Sequence, residues 1–337
     1  MTSSPRDTAA LKLAIRSVHS PADRVVSIEL GASDGSSPPG WDPGAHIDLH
    51  LPSGLVRSYS LHGDPRDRGS YHIAVLNAWN GRGGSAEVHR VAAPGIELTA
   101  SVPLNTFNME SASHYLFIAG GIGVTPLLPM ALAAARAGEP WTFVYGGRTR
   151  TSMAFLERLA ALPGGRLEVV PQDELGLPDL ARSFALLPAG AAAYCCGPAG
   201  MLTAATDAGA STRPDVTVRI ERFAASAGPA TGDGDRPFEV ELARSGLTIE
   251  VPAGVSVLDA VRARVPGVMS NCEQGICSSC ETAVLAGTPD HRDSVLTPKE
   301  KAANRYFVRR RRPTRRLYPR MLSWICSGNN KEQASRS

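Results

Sequence analysis

The chain has 337 residues, is 43% hydrophobic and carries a formal net charge of +3 at pH 7. It contains no apolar run of about 18 residues and no basic-then-apolar leader, so the sequence predicts neither a transmembrane helix nor a secreted protein. Residues 305–337 hold nine arginines, one lysine and one glutamate, which is +9 and leaves −6 for residues 1–304. A nucleic-acid-binding surface over the whole protein is therefore not indicated. The length predicts two or three domains of about 100–150 residues each.

Residues 1–107 predict an antiparallel β-barrel domain. Short runs of strand-forming residues alternate with turns rich in Pro, Gly, Asp and Ser, as in small barrels. The predicted strands are Leu11–Val18, Arg24–Leu30, His46–Leu51, Tyr71–Leu76 and Glu97–Val102.

Two motifs inside this domain carry groups that suit a flavin. In Arg57-Ser58-Tyr59-Ser60, the arginine suits a phosphate, the hydroxyls suit the polar edge of the ring, and the tyrosine can pack beside it. Taken alone, this motif is typical of an ordinary strand, and a flavin contact is the less favoured alternative. In Asn80–Ser85, glycines at 81, 83 and 84 followed by a serine form a nest of backbone N–H groups that can hold a phosphate at a helix start. A hairpin turn is the alternative.

Residues 108–228 predict an α/β domain with a parallel sheet. The apolar strand Tyr115–Ala119 leads into the glycine-rich turn Gly120–Pro126 and the helix Leu127–Ala135, an arrangement that lets a pyrophosphate approach the helix N-terminus. The turn does not match the G-x-G-x-x-G fingerprint of regular dinucleotide-binding folds. Later strands end in turns that contain Arg148, Arg150 and Cys196-Gly197-Pro198, and ligands bind at this carboxyl edge of parallel sheets. Simple burial is the alternative for Cys195 and Cys196.

The third domain is predicted from residue 238 to residue 337, after a small, polar linker at 229–237. Its hairpin Phe238–Val251 and helix Ser256–Arg264, with Ser256 as N-cap, precede Cys272, Cys277 and Cys280. The C-x4-C-x2-C spacing is that of a plant-type [2Fe–2S] ferredoxin loop. A structural zinc site, or cysteines that merely pack, are the alternatives, although zinc sites favour two short pairs. The cysteine pattern does not suggest disulfides, so we expect a reducing cytoplasm.

These motifs, in this order, resemble the phthalate dioxygenase reductase family over about residues 10–304. Glu221-Arg222-Phe223 and Asp290-His-Arg-Asp293 belong to the same resemblance. It implies a multidomain fold: an antiparallel β-barrel with FMN, an α/β parallel-sheet domain with NADH or NADPH, and an α+β (β-grasp) ferredoxin domain with a [2Fe–2S] cluster. It implies an NAD(P)H-dependent iron–sulfur flavoprotein oxidoreductase, which supplies electrons to a Rieske-type aromatic-ring oxygenase or O-demethylase. We expect a monomer that binds no nucleic acid and no membrane.

The resemblance also assigns residues to each cofactor. Flavin contacts are expected from Arg57, Ser58, Tyr59, Ser60, Val75, Gly81, Gly83, Gly84, Ser85 and Phe223. Nicotinamide-nucleotide contacts are expected from Gly120, Gly121, Gly123, Thr125, Pro126, Arg148, Cys196, Gly197, Pro198 and Met201. Catalytic roles fall to Ser60, Thr125, Cys196 and Phe223. We expect FMN rather than FAD, because the phosphate nest comes without an adenine platform, and NADH rather than NADPH, although Arg148 and Arg150 stand where a 2′-phosphate could be met.

One departure from the family concerns the fourth cluster cysteine. The family pattern places it near Val308–Arg310, where this chain has no cysteine, and the usual closing Cys-Val-Ser-Arg and apolar last strand are also missing. The tail is then either a divergent addition or the product of a reading-frame shift near residues 304–308, and Cys326 can serve only if the tail folds back. Without a fourth thiolate the cluster would bind poorly.

Two other functions remain open at this point. One is a reductase for a haem monooxygenase or another acceptor. The other is a non-catalytic metal-binding protein whose basic tail binds nucleic acid.

Overall fold

The structure, a computed structural model, describes residues 10–78, 83–223, 237–243, 245–253, 255–265, 281–285, 302, 305–307 and 322–323. The chain forms two compact units, one of Ala9–Phe223 and one of Met1–Thr8 with Ala224–Ser337. The first unit contains a seven-stranded and a five-stranded sheet, and the second contains another five-stranded sheet. None of the described helices combines the length and the apolar composition that a membrane crossing requires. The finer domain limits given above remain predictions.

The seven-stranded sheet of the first unit is antiparallel throughout, in the order β4-β3-β6-β1-β2-β5 with β7 beside β3. A bridge between Leu61 and Ile73 joins the two ends of this path, so the sheet closes on itself. Alternate residues such as Ile28, Leu30 and Ile47 fill its apolar core, as the period-2 pattern predicts. The elements are β1 Ala10–Ala22, β2 Val25–Ala32, β3 Ala45–His50, β4 Val56–Ser60, β5 Tyr71–Leu76, α1 Gly84–Val91, β6 Glu97–Ser101 and β7 Leu104–Asn105.

The second sheet of this unit is parallel, in the order β10-β9-β8-β11-β12. Chain order runs outward from β8 to β10 and then returns to β11, so a topological switch point lies between β8 and β11, which is where ligands bind in such sheets. Both faces are covered by apolar clusters, one of which includes α2 and the other α5 and α6. The elements are β8 Tyr115–Gly120, α2 Val124–Ala137, β9 Trp141–Gly147, α3 Leu156–Ala160, β10 Gly165–Pro171, α4 Gln172–Leu175, α5 Leu180–Ala185, β11 Ala192–Cys196, α6 Ala199–Thr212 and β12 Val218–Glu221.

The sheet of the second unit has the order β14-β13-β17-β15-β16, with β13 and β17 parallel and the other pairs antiparallel. The expected N-cap is confirmed, because the Asp259 backbone N–H donates to Ser256 Oγ at 2.9 Å. The core of this unit lies between the β13–β14 hairpin and α7. The elements are β13 Phe238–Leu242, β14 Leu247–Val251, α7 Val257–Arg262, β15 Glu281–Val284, β16 Arg305–Phe307 and β17 Leu322–Ser323.

The expectation that the family's closing Cys-Val-Ser-Arg and apolar last strand are missing is not tested by the described residues of the tail, which are few. Residues Leu322 and Ser323 form β17, which pairs with both β13 and β15 in the middle of the sheet. The residues around β17, Met321-Leu-Ser-Trp-Ile-Cys326, are mostly apolar, unlike the arginine-rich run that precedes them. Of the tail after Phe307, the structure describes residues 322–323, and these two belong to the sheet of the second unit.

Candidate functional site

The first part of the site is the start of helix α1, next to strand β4. Gly83 is the N-cap of α1 with a φ of 80°, a conformation that favours glycine, and no side chain caps the helix. A Cβ atom on Gly84 would lie 2.5 Å from Arg57 Nε, so the arginine packs directly against the helix start. A helix N-terminus and a guanidinium at one point suit a phosphate. Gly81 lies outside the described residues.

Strand β4 presents its alternate side chains to two environments. Tyr59 packs against the barrel core, and burial raises its pKa to about 12, so it is a neutral phenol. On the other face, Ser58 Oγ donates to Asp48 Oδ1 at 2.5 Å. The Oγ of Ser85, at the start of α1, accepts from the Ala78 N–H at 3.2 Å. Val75, predicted as a flavin contact, belongs to the barrel core.

Ser60, at the end of β4, reaches across to the parallel sheet. Its Oγ lies 3.5 Å from Glu221 Oε2, at the end of β12. Burial raises the pKa of the Glu221 carboxyl to about 8, so the carboxyl holds its proton at neutral pH. A neutral carboxyl beside a hydroxyl can both donate and accept a hydrogen bond. The barrel and the α/β sheet therefore share a polar contact at which a proton can move.

Glu221 is a candidate site residue to which the sequence analysis gave no role. The motif Glu221-Arg222-Phe223 was recognised, but only Phe223 was assigned a role. An ionisable residue at the carboxyl end of an otherwise apolar parallel strand was the available indication. Phe223 itself is 42% exposed and lies two residues beyond Glu221.

Cys196 lies next to Glu221, its register partner on the neighbouring strand β11. Its side chain is fully buried, and burial, followed by the neighbouring Glu221 carboxyl, raises its pKa well above the usual value. It is therefore a neutral thiol rather than a thiolate. It limits the space of the site and brings no charge to it. Cys195 packs among apolar side chains of another core cluster, as the simple-burial alternative predicts.

The turns after β8 and β11 meet at the switch point with almost no space between them. A Cβ on Gly123 would lie 2.1 Å from the Cys196 carbonyl oxygen, and a Cβ on Gly120 would lie 2.4 Å from Pro198 Cδ. The Met201 Sδ would lie 3.1 Å from a Cβ on Gly197, so these predicted residues do come together. Such close backbone packing at a helix start is what a pyrophosphate needs.

Other predicted nucleotide residues surround this point. Gly121 has a φ of 53°, and a Cβ there would meet open space. The Thr125 hydroxyl, which is buried, donates to the Ile122 carbonyl at 3.0 Å. Pro126 was expected at the first helical position, but α2 begins two residues earlier, at Val124, so Pro126 is the third residue of the helix, where it is buried. Arg148, at the end of β9, is exposed.

A buried imidazole on the barrel side remains without a partner. His46 Nε2 has no hydrogen-bond partner among the described residues, and His46 is the register partner of Ser60 on β3. Directly opposite residues of an antiparallel pair lie on the same face. Buried polar atoms are rarely left unsatisfied, so an orphan beside Ser60 fits a site that receives a polar group.

Contacts between the barrel and the α/β layer hold the two sheets in place. Arg158 Nη1 lies 3.2 Å from His62 Nδ1, and the Asp23 N–H donates to the Thr151 carbonyl at 2.9 Å. Arg136 pairs with Asp64 across the same junction. These contacts keep the Ser60 hydroxyl in position over the carboxyl edge of the sheet.

The predicted cluster ligands Cys272, Cys277, Cys280 and Cys326 lie outside the described residues. Strand β15 begins at Glu281, directly after Cys280, and β17 ends at Ser323, three residues before Cys326.

Comparison with known proteins extends over all of these regions. A family model described as a 2Fe-2S iron–sulfur cluster binding domain matches residues 240–309. Over 305 residues the chain is 46% identical to the phenoxybenzoate dioxygenase subunit beta of Ectopseudomonas oleovorans, covering 89% of this chain and 93% of that protein. The solved phthalate dioxygenase reductase, described as a modular structure for electron transfer from pyridine nucleotides to [2Fe–2S], is 32% identical with a TM-score of 0.68, covering 94% of this chain and 98% of the other. An intact type IV self-sufficient cytochrome P450 monooxygenase is 40% identical with a TM-score of 0.81, covering 89% of this chain but 39% of the other.

Proposed function

This chain belongs to the phthalate dioxygenase reductase family, and we propose that it is the reductase component that passes electrons from NADH through FMN and a [2Fe–2S] cluster to a Rieske-type aromatic-ring oxygenase or O-demethylase. The observation that carries the proposal is the 3.5 Å contact between Ser60 and Glu221, which joins the flavin-type strand of the barrel to the carboxyl edge of the nucleotide-type sheet. A reductase that moves electrons from a nucleotide to a flavin needs these two surfaces in contact.

The barrel residues supply binding and orientation. Arg57 and the first N–H groups of α1, with Gly83, Gly84 and Ser85, hold the phosphate of FMN. Tyr59 and Val75 would support the flavin ring on the side of the barrel strands. Ser58 and Ser60 would offer hydroxyl groups to the polar edge of the ring. When bound, FMN can accept two electrons as a hydride and release them one at a time.

The α/β residues position the nicotinamide nucleotide. The close-packed turns at Gly120–Pro126 and Cys196–Pro198, with Met201, hold the pyrophosphate and nicotinamide over the switch point. Thr125, Cys196 and Phe223 shape the space next to Ser60, and the carboxyl of Glu221 holds a proton that it can exchange with the Ser60 hydroxyl. These residues are the catalytic set that we propose.

The cluster is assigned to Cys272, Cys277 and Cys280, with Cys326 as the fourth ligand. The described part of β15 and β17 pairs antiparallel, with Ala283 opposite Ser323. We propose Cys326 because it is the one cysteine that follows Cys280 in the sequence, and β17 ends three residues before it. Cys326→Ser should remove the cluster, measured by iron content and visible absorbance, whereas Cys195→Ser should leave both unchanged.

The remaining assignments follow the same proposal. The domains run over 1–107, 108–228 and 238–337, with a linker at 229–237. The protein works as a cytoplasmic monomer that binds neither nucleic acid nor membrane. Its protein partner is the oxygenase component.

The test begins with the purified full chain. We expect a yellow-brown protein that oxidises NADH with ferricyanide and releases FMN on denaturation, identified by chromatography. Arg57→Ala should weaken flavin binding by about 10- to 100-fold, because a charge-assisted phosphate contact contributes about 1.5–3 kcal/mol. A colourless, zinc-containing protein without NADH oxidation would overturn the proposal, and recovery of FAD would overturn the choice of flavin.

A second candidate acceptor is a haem monooxygenase. It is favoured by the match over 89% of this chain to part of a self-sufficient cytochrome P450. The two acceptors are distinguished by adding the NADH-reduced protein either to a Rieske oxygenase component or to a P450 haem domain. Faster oxidation by the haem domain would favour the second candidate.

A further inference from the structure

An arginine–glutamate pair lies at the outer end of the carboxyl edge of the parallel sheet. Arg150 follows β9, Glu174 lies in α4 directly after β10, and Arg150 Nη2 is 3.1 Å from Glu174 Oε2. The Asp173 N–H donates to the Arg148 carbonyl at 3.2 Å, which ties α4 to the end of β9. The Arg150–Glu174 ion pair therefore lies where a 2′-phosphate would have to be received, next to the backbone of Arg148 and Asp173.

An exposed apolar loop connects this pair to the switch point. Leu175 is 63% exposed and Leu177 is 77% exposed, although both are large apolar side chains. The next residue, Pro178, would lie 3.7 Å from a Cβ on Gly146, and Met201 Cε would lie 2.9 Å from the same atom. Residues 175–178 thus connect Glu174 to the region of Met201 along the carboxyl edge of the sheet. Their exposed apolar side chains, next to the charged Arg150–Glu174 pair, suit the adenosine half of a dinucleotide.

The backbone around Arg150 is held independently of its ion pair. Thr149 and Ser152 form a reciprocal capping box around the single turn Arg150–Ser152, with the Thr149 N–H donating to Ser152 Oγ at 3.2 Å. Loss of the Glu174 charge would therefore leave the Arg150 backbone in place.

We propose that Glu174, by neutralising Arg150, makes this chain select NADH over NADPH, an inference that rests on the function proposed above. The 2′-phosphate of NADPH needs an uncompensated cation, and here Arg150 is already paired with Glu174, whose carboxylate repels a phosphate. The 2′-hydroxyl of NADH carries no charge and can donate to a carboxylate. Glu174 is a specificity-determining residue and takes no part in the redox step.

The test is Glu174→Gln, which keeps the shape of the side chain and removes its charge. We expect kcat/KM for NADPH, with ferricyanide as acceptor, to rise about five- to tenfold, as expected when an arginine is freed for a charge-assisted phosphate contact. The gain should lie in KM rather than kcat and should shrink as salt is raised, since the contact is exposed. For NADH, kcat/KM should fall by about twofold, because an amide is a weaker acceptor than a carboxylate.

The matched control is Glu168→Gln, on strand β10, which breaks the Arg166–Glu168 pair of 2.8 Å. It should leave the ratio of NADPH to NADH unchanged. Adding Arg150→Gln to Glu174→Gln should abolish the gain. An unchanged ratio in Glu174→Gln, an equal change in Glu168→Gln, or a gain that survives loss of Arg150 would each overturn the inference, as would a wild-type chain that prefers NADPH. A wild-type chain that oxidises neither nucleotide would instead overturn the proposed function.

Discussion

Two glutamates at the carboxyl edge of one parallel sheet have opposite surroundings. Glu221, at the end of β12, faces the barrel, contacts the Ser60 hydroxyl and has a pKa raised by burial to about 8. Glu174, beyond β10 at the other end of the sheet, is half-exposed and forms an ion pair with Arg150. The same side chain is thus a proton holder at one end and a fixed negative charge at the other. The difference follows from the surroundings of each carboxyl: Glu221 lies against the barrel, whereas Glu174 is half-exposed beside a guanidinium.

The two ends of the sheet are called the inner end, where β12 carries Glu221, and the outer end, where Glu174 follows β10. The largest effect is expected from removing the titratable proton of Glu221 at the inner end. Glu221→Gln should lower kcat for NADH oxidation by about 100-fold, because a positioned acid or base contributes about 10²–10⁴-fold. The alkaline limb of the wild-type pH–rate profile, near pH 8, should disappear in this variant, since an amide does not titrate. Steady-state rates from pH 5 to 10 provide the measurement. A profile that keeps its limb would mean that another group titrates there.

The close packing at the inner end gives the next prediction. Gly123→Ala would place a methyl group 2.1 Å from the Cys196 carbonyl oxygen, so the turns after β8 and β11 must separate. We expect a loss of about 1–3 kcal/mol in the free energy of unfolding, the usual range for overpacking. Gly200→Ala is the control, because nothing lies within 4 Å of its added methyl group, and alanine should stabilise helix α6 by about 0.5–1 kcal/mol. Denaturant titration of both variants checks the pair, and equal effects would contradict the packing argument.

A smaller effect concerns stability against pH at the inner end. Because the pKa of Glu221 is raised in the folded state, the folded chain binds this proton more tightly than the unfolded chain does. The stabilisation is fully present below the unfolded pKa near 4.5 and is lost as pH rises through about 8. Between pH 6 and 9 the melting temperature of wild type should therefore fall by about 2–4 °C more than that of Glu221→Gln. Parallel melting curves would refute this.

The smallest effect is expected at the outer end. Breaking the exposed Arg150–Glu174 pair with Glu174→Gln should change the free energy of unfolding by less than about 1 kcal/mol, as is usual for exposed ion pairs. Denaturant unfolding at low and high salt measures it. A large loss would show that the pair supports the fold rather than nucleotide choice, and would weaken the comparison between the two ends.

Contiguous sequence motifs identified one residue of each contact in the candidate site, but they did not identify the residue that it contacts. The pattern around Gly120 predicted a turn at a helix start, and the positions of Gly120, Gly123 and Gly197 at the switch point confirm that placement. Ser60 could be found from its motif, because that motif is contiguous. Glu221 could not be paired with it, because the two are 161 residues apart in the chain and meet only when two sheets pack together.

Other features escaped for different physical reasons. The ion pair of Arg150 with Glu174 depends on which strands are neighbours, which spacing does not reveal. The unpartnered Nε2 of His46 depends on burial by a second layer. Strand β17 was not predicted because only two residues form it and it follows a long arginine-rich run.

The central place of β17 has a consequence for the order of folding during synthesis. Until residues 322–323 emerge, β13–β14 and β15–β16 are two separate hairpins, and isolated hairpins are marginally stable in water. The unit of Ala9–Phe223 can already be complete by then, because all strands of its two sheets lie earlier in the chain. The second unit is therefore expected to complete its sheet last, after the first unit has already folded.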